Sequence, residues 1–430
     1  MLKNKIITNA SWIVACRIVQ SILGLAINML AARYLGPSNY GIISYAASIV
    51  AFFVPIMQLG LNQVLVQETI QHPNDEGKIF GSAILMSACS SIACILGVVS
   101  FAHVANPNDK TVIITCALYS SILFCQAFEL IQYWFQAKYL SKYVSVVSLL
   151  AYAIVSIYKF ILLASHQNIY WFAISNTIDY LIIAIALLII FKRLGGQKLA
   201  FSPSTAKRMF SVSKYYIISS LMVTVFAQTD KIMLSLMINE ETTGYYSAAV
   251  SCATVTSFVF GAIIDSMRPQ ILESKQESDA TFEQDMRRLC AVIIYLSLVQ
   301  CICITLLAKP IINILYGSQY SPAVEALQII VWYTTFSYLG PVRNIWILAQ
   351  GKQRYMWIIN LSGAVANVLL NSLLIPYFGL NGAAFASVIT QIFTNFVLGF
   401  IIKPIRGIGK IMLESLNIGK VLKDSIRHSK

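Results

Sequence analysis

Long apolar stretches alternate with short polar connections along the whole chain. Twelve of them have the length a helix needs to cross the hydrocarbon of a bilayer, about 20 residues. They fall near 8–32, 41–66, 80–103, 111–136, 143–164, 170–191, 211–238, 244–267, 289–308, 324–349, 355–376 and 381–402. A backbone inside lipid must satisfy its own N–H and C=O groups, so the pattern predicts helices. Residues 355–402 carry no charged side chain, and the last two spans are separated at the turn-like Pro376-Tyr377-Phe378-Gly379-Leu380-Asn381-Gly382. The expected fold class is all-α integral membrane.

Composition sharpens that reading. Of 430 residues, 57% are hydrophobic and 11% are charged, against roughly 25% charged in soluble domains. So few charges cannot cover a water-facing surface of this size. The net charge of +13 raises the question of nucleic acid, but its distribution excludes that partner. With twelve spans both termini share one side, and the connections on that side hold 24 Lys and Arg against 3 on the other. This bias places both termini in the cytoplasm. Lys3 and Lys5 precede an apolar stretch that contains Arg17 and lacks a small-residue cleavage site, so the segment reads as a first span. The nine cysteines lie in or beside apolar segments, with neither a disulfide framework nor a zinc spacing.

The two halves look alike. Gly41-Ile42-Ile43-Ser44-Tyr45-Ala46-Ala47-Ser48 opens the second span, and Gly244-Tyr245-Tyr246-Ser247-Ala248-Ala249-Val250-Ser251 opens the eighth. Both fit G-x-x-S-x-A-x-S. The expected organisation is an N-terminal six-helix lobe at 1–195, a basic cytoplasmic connector at 196–214, a C-terminal lobe at 215–402 and a basic tail at 403–430. Parallel six-helix repeats are a common transporter plan.

Ionisable groups within spans are the candidates for chemistry, because each costs roughly 2.5–3.5 kcal/mol at the bilayer centre on insertion scales. They are Arg17, Glu129, Lys159, Asp179, Asp230, Lys231, Asp265 and Arg343. The fourth span adds a polar stripe of Gln126, Glu129, Gln132, Tyr133 and Gln136, spaced to share one helix face. Arg17, Arg343, Lys159 and Lys231, with Glu129, Gln126, Gln132 and Tyr133, are the candidate substrate contacts. Asp230 and Asp179 are candidates for ion coupling, although Lys231 beside Asp230 could neutralise it. Snorkelling and helix-to-helix pairing are the plain alternatives, favoured for Asp265 and Lys159 near helix ends. No phosphate-cradling G-x-x-x-x-G-K-[ST], nucleophile elbow or H-E-x-x-H is present. No catalytic residue or metal site is assigned.

Several segments resemble a known family. Arg33-Tyr34-Leu35-Gly36-Pro37-Ser38-Asn39-Tyr40-Gly41 and Gly60-Leu61-Asn62-Gln63-Val64-Leu65-Val66-Gln67-Glu68 are similar to the opening of bacterial polysaccharide exporters. Gln228-Thr229-Asp230-Lys231-Ile232-Met233-Leu234, Lys309-Pro310 through Tyr316-Gly317, and Asn371-Ser372 through Ala383-Ala384 resemble later parts of that family. The likeness is to Wzx-type O-antigen flippases of the multidrug/oligosaccharidyl-lipid/polysaccharide exporter superfamily. It implies two six-helix lobes related by pseudo-two-fold symmetry around a central cavity. The implied substrate is an undecaprenyl-pyrophosphate-linked oligosaccharide, moved from the cytoplasmic to the periplasmic leaflet of the bacterial inner membrane by alternating access. Association with other O-antigen assembly proteins goes with that role. No cofactor is implied, and coupling to a proton or sodium gradient is expected of the superfamily. Family members place an arginine in the first span and an acidic residue in the seventh, matched here by Arg17 and Asp230. Arginine's planar fork suits a diphosphate. A multidrug/cation antiporter and a polyprenyl-using enzyme such as an O-antigen polymerase are the alternatives, the latter lacking a sizeable catalytic loop.

Overall fold

The computed structural model describes the backbone of residues 2–417 and 419, and side chains from residue 16 onward apart from 17 and 18. Every regular element among the described residues is helical. In chain order they are α1 (Leu2–Met57), α2 (Leu65–Gln71), α3 (Glu76–Ala105), α4 (Lys110–Ser120), α5 (Ile122–Glu129), α6 (Gln132–Ala137), α7 (Ser141–Ala164) and α8 (Ile169–Arg193). Then come α9 (Pro203–Met237), α10 (Glu240–Thr254), α11 (Ser257–Glu277), α12 (Asp279–Leu315), α13 (Ala323–Ile330), α14 (Tyr333–Ala349) and α15 (Met356–Ile392). A π-helical turn at Phe393–Val397 leads into α16 (Leu398–Ile401), and α17 (Arg406–Glu414) follows.

Eight helical stretches of the described residues are long and apolar enough to cross a membrane, or nine when α10 and α11, bent by 41°, form one span. The protein is therefore a polytopic, multi-pass membrane protein. Two of these stretches hold internal breaks. Within α1, Gly36 has φ 76° and ψ 169° and is followed by Pro37, so a left-handed residue and a missing N–H interrupt the helix together. Within α15, Gly379 has φ 53° and ψ −126°, inside the turn expected at 376–382. The segment expected as a tenth span, 324–349, consists of α13 and α14, of 8 and 17 residues.

The chain divides into two compact units, Met1–Gln228 and Thr229–Lys430. The division falls inside α9, and residues 203–214 of the expected connector are already helix. In the first unit, Leu61, Leu65, Phe80, Trp134, Phe135, Phe191 and Met209 are part of a buried cluster joining α2, α3, α6, α8 and α9. Glu76, buried at its edge, accepts from Trp134 Nε1 at 2.7 Å and pairs with Lys138 at 2.5 Å. Residues 197–202 lie along the start of α3. Ala200 N donates to Gly77 O (3.0 Å), Gly77 N to Gln197 Oε1 (3.0 Å), and Ser202 N to Ser82 Oγ (2.9 Å).

In the second unit the core gathers Phe260, Phe282, Met286, Leu289, Val342, Trp346 and Ile359. The amphipathic α17 completes it with Ile408, Ile411 and Met412. Arg287 fixes that helix through Glu414 at 2.8 Å.

Candidate functional site

Each unit encloses a constellation of polar and ionisable side chains among otherwise apolar helices. In the first unit it is assembled from α4, α5, α7 and α8. Lys159 of α7 is buried, 7% exposed, and its Nζ donates to Asn176 Oδ1 of α8 at 3.1 Å. Asp179, one turn further along α8, lies close enough to Lys159 and to Glu129 for their charges to interact. Its Oδ1 is buried and has no hydrogen-bond partner among the described residues. The Tyr119 hydroxyl lies beside Asn176, and that of Tyr180 beside Gln126. A lone ion in this setting would cost several kcal/mol after relaxation. The Lys159 ammonium offsets one of the two carboxylates, whose own charges repel each other, with tyrosine hydroxyls and amides around them.

The structure thus brings Lys159, Asp179, Glu129 and Gln126 together. Gln132 and Tyr133 continue the stripe on α6 as half-buried residues, and Gln136 is exposed. Arg17 lies in α1, and its side chain is outside the described residues.

In the second unit the organising group is Asp230 of α9, 6% exposed. Its Oδ1 accepts from Asn367 Nδ2 at 2.9 Å and from Asn371 Nδ2 at 2.6 Å. Its Oδ2 accepts from Tyr246 OH at 2.5 Å and from the Ser387 hydroxyl. Asn367 and Asn371 stand one turn apart on α15, so both amides reach the same oxygen. Four neutral donors therefore surround the carboxylate. Lys231 is not among those donors. It is half-buried, and its backbone carbonyl accepts from Thr243 Oγ1 at 3.4 Å. Consecutive helix positions point about 100° apart, but the Asp230 charge still acts on the Lys231 ammonium.

Arg343 of α14 is 4% exposed. Its guanidinium grips the π-helical turn: NH1 donates to Thr394 O at 3.0 Å and to Asn395 Oδ1 at 2.9 Å, and NH2 to Asn344 Oδ1 at 3.1 Å. Asp265 is largely exposed beside Arg268, 3.4 Å away. Sequence reasoning missed Tyr246, Asn367, Asn371 and Ser387, and likewise Tyr119, Asn176 and Tyr180.

The model of a family described as polysaccharide biosynthesis protein matches residues 6–275, more than half of the chain. The chain belongs to this polysaccharide biosynthesis protein family. Among curated relatives, the capsular polysaccharide biosynthesis protein CapF of Staphylococcus aureus is 22% identical over 390 residues, 90% of this chain and 96% of that one. An uncharacterized membrane protein of Methanocaldococcus jannaschii is 27% identical over 250 residues, 54% of this chain. That match spans about half of the archaeal protein's length, 48%.

Solved structures show what fold the family member has. The lipid II flippase MurJ, in an inward closed conformation, superposes with a TM-score of 0.72 at 16% identity, over 94% of this chain and 90% of that one. An inward-facing multidrug resistance MATE family transporter of the MOP superfamily superposes with a TM-score of 0.72 at 12% identity, over 91% and 95%. The family member described here therefore shares the fold of these two proteins.

Proposed function

We propose that this protein is a flippase that carries an undecaprenyl-pyrophosphate-linked oligosaccharide from the cytoplasmic to the periplasmic leaflet of a bacterial inner membrane by alternating access. The observation that carries the reading is the pair of buried ionisable constellations, in a polysaccharide biosynthesis family member with a transporter fold. Buried charges inside spans are costly and mark substrate or ion paths. In this reading Arg17, Lys159 and Lys231 supply positive charge for the diphosphate, with Glu129, Gln126, Gln132 and Tyr133 as polar contacts. Arg343, its fork committed to the π-helical turn, positions that turn. Asp230 and Asp179 are the groups that respond to a proton or sodium gradient.

The reading takes twelve spans, counting the helices before and after Gly36 and Gly379 separately and α13 with α14 as one. Both termini are then cytoplasmic. The test is deletion of the gene with complementation. The null strain should lose surface glycan and accumulate the lipid-linked unit on the cytoplasmic leaflet, and the wild-type chain should reverse both. Accumulation of single repeat units on the outer surface would instead indicate a polymerase.

Cation–drug antiport is the second reading. It draws on the likeness to the MATE transporter and on the carboxylates Glu129, Asp179 and Asp230. Resistance of an efflux-deficient host to cationic dyes on expression of this chain would favour it.

A further inference from the structure

An open cavity of about 480 Å³ lies in the first unit, where the break at Gly36 meets the turn between α7 and α8. Its polar and aromatic walls are Tyr34, Asn39, His166, Gln167, Asn168 and Tyr170. Nothing in the proposed transport chemistry uses it, and none of its lining residues is acidic, lysine or arginine. Its size lies within the roughly 300–1,000 Å³ usual for small-molecule sites.

One hydrogen bond and two ring contacts join the two segments at the cavity, and local bonds shape each wall. Tyr34 OH donates to Gln167 O at 3.2 Å, tying α1 to the turn. The Tyr34 ring lies 5.8 Å from His166 and 5.9 Å from Phe172, centroid to centroid. Asn39 Nδ2 donates to Leu35 O at 3.1 Å, and Asn168 Oδ1 caps α8 by accepting from Tyr170 N at 3.2 Å.

His166 is the unusual member. α7 ends with Gln167 N donating to Leu162 O and His166 N to Leu163 O, the two-bond closure that places its penultimate residue in the left-handed region. His166 has φ 53°. The same closure after α8 and after α14 is made with Gly195 and Gly351, at φ 82° and 64°, and after α6 with Tyr139, at φ 58°. Glycine is the unstrained choice there, so the His166 side chain is held at a backbone cost. The conformation keeps an exposed imidazole at the cavity mouth, beside an aromatic wall.

Amides that both donate and accept, flat aromatic faces and the absence of acidic, lysine or arginine side chains suit an uncharged, hydroxyl-rich ligand rather than a phosphate or a cation. We infer that this cavity is a saccharide subsite that takes one pyranose unit of the transported glycan. The ligand class rests on the flippase reading. In the orientation given by the lysine and arginine bias, this end faces away from the cytoplasm, where the sugar head would arrive.

The test uses the full chain in lipid nanodiscs and a soluble probe, the lipid-free oligosaccharide released by hydrolysis from the host's own surface polysaccharide. Saturation-transfer NMR reads contact between the two. His166→Gly removes the ring and relaxes the backbone, so its thermal midpoint should equal or exceed that of wild type. Asn168→Asp keeps the helix cap but replaces the amide donor with a charge. Each variant should weaken oligosaccharide binding about five-fold or more, the loss of roughly one good contact. Binding unchanged in both variants, or no transfer to the probe on wild type, overturns the subsite. Restoration of surface glycan by the wild-type chain in the null strain is scored separately. Restoration without probe binding removes the subsite alone. Variant-sensitive binding without restoration removes the flippase reading and leaves a saccharide site.

Discussion

Asn371 Nδ2 donates to Asp230 Oδ1 at 2.6 Å, joining α15 to α9 in the interior of the second unit. The same asparagine keeps its own Oδ1 buried and without a partner among the described residues. A carboxylate with four donors beside an unused carbonyl oxygen is a strongly electronegative spot, and its four hydrogen-bond donors are all neutral. In the proposed transport cycle this carboxylate is the group that responds to the ion gradient.

Asp230→Asn tests that response. The substitution preserves shape and leaves partners for each hydroxyl, so the amount of protein in the membrane should stay within about two-fold of wild type. Glycan export in the complemented null strain should fall by about ten-fold or more, equivalent to at least about 1.4 kcal/mol. Export at the wild-type level, with unchanged dependence on the ion gradient, would remove Asp230 from the coupling scheme.

Arg343→Lys separates support from substrate contact. Lysine cannot reproduce the fork that serves Thr394 O, Asn395 and Asn344. Losing charge-assisted bonds at a buried site costs about 1.5–3 kcal/mol. The thermal midpoint of the purified variant should drop, and its abundance with it. An unchanged midpoint together with lost export would make Arg343 a substrate contact instead.

The spans were legible because about 20 apolar residues in a row have few other fates in a protein. Their breaks were partly legible, since Gly36-Pro37 and Pro376 through Gly382 carry turn chemistry that a helix resists. The surroundings of Asp230 were not. Asn367 and Ser387 lie 137 and 157 residues away along the chain, and neutral polar residues are common where membrane helices pack. Their one usable signal was the four-residue spacing of Asn367 and Asn371 in a span without charge. Arg343 was visible as a charge inside a span, but its partner is a π-helical turn, and local sequence does not announce that geometry. His166 escaped for a related reason. The left-handed residue at the end of a helix is read from glycine, and a histidine in that place looks like ordinary loop.

Gly77→Ala should loosen the segment 197–202 from α3. A Cβ on Gly77 would sit 2.3 Å from Lys198 O, and one on Gly81 would sit 2.4 Å from Ala200 O. The backbone segment must then move, giving up the bonds of Ala200 N and Gln197 Oε1 to residue 77. Two hydrogen bonds of about 1 kcal/mol each correspond to a roughly 30-fold rise in opening. Limited trypsin digestion at the exposed Lys198 should accelerate accordingly. Equal cleavage rates in variant and wild type would mean that these contacts do not hold the segment.

Lys159 and Asp179 make the clearest case for coupling between two charges. Lys159→Met leaves Glu129 and Asp179 as carboxylates near each other without their ammonium. Removing one of two interacting charges leaves the other uncompensated, whereas replacing both members with apolar groups is often neutral. The thermal midpoint should therefore fall sharply for Lys159→Met and for Asp179→Leu. It should recover by more than half of that loss in the double variant. Export should remain low in all three, because the double variant restores packing without restoring charge. Additive losses in midpoint would show that Lys159 and Asp179 act independently, and the constellation of the first unit would then be separate charges rather than one coupled group.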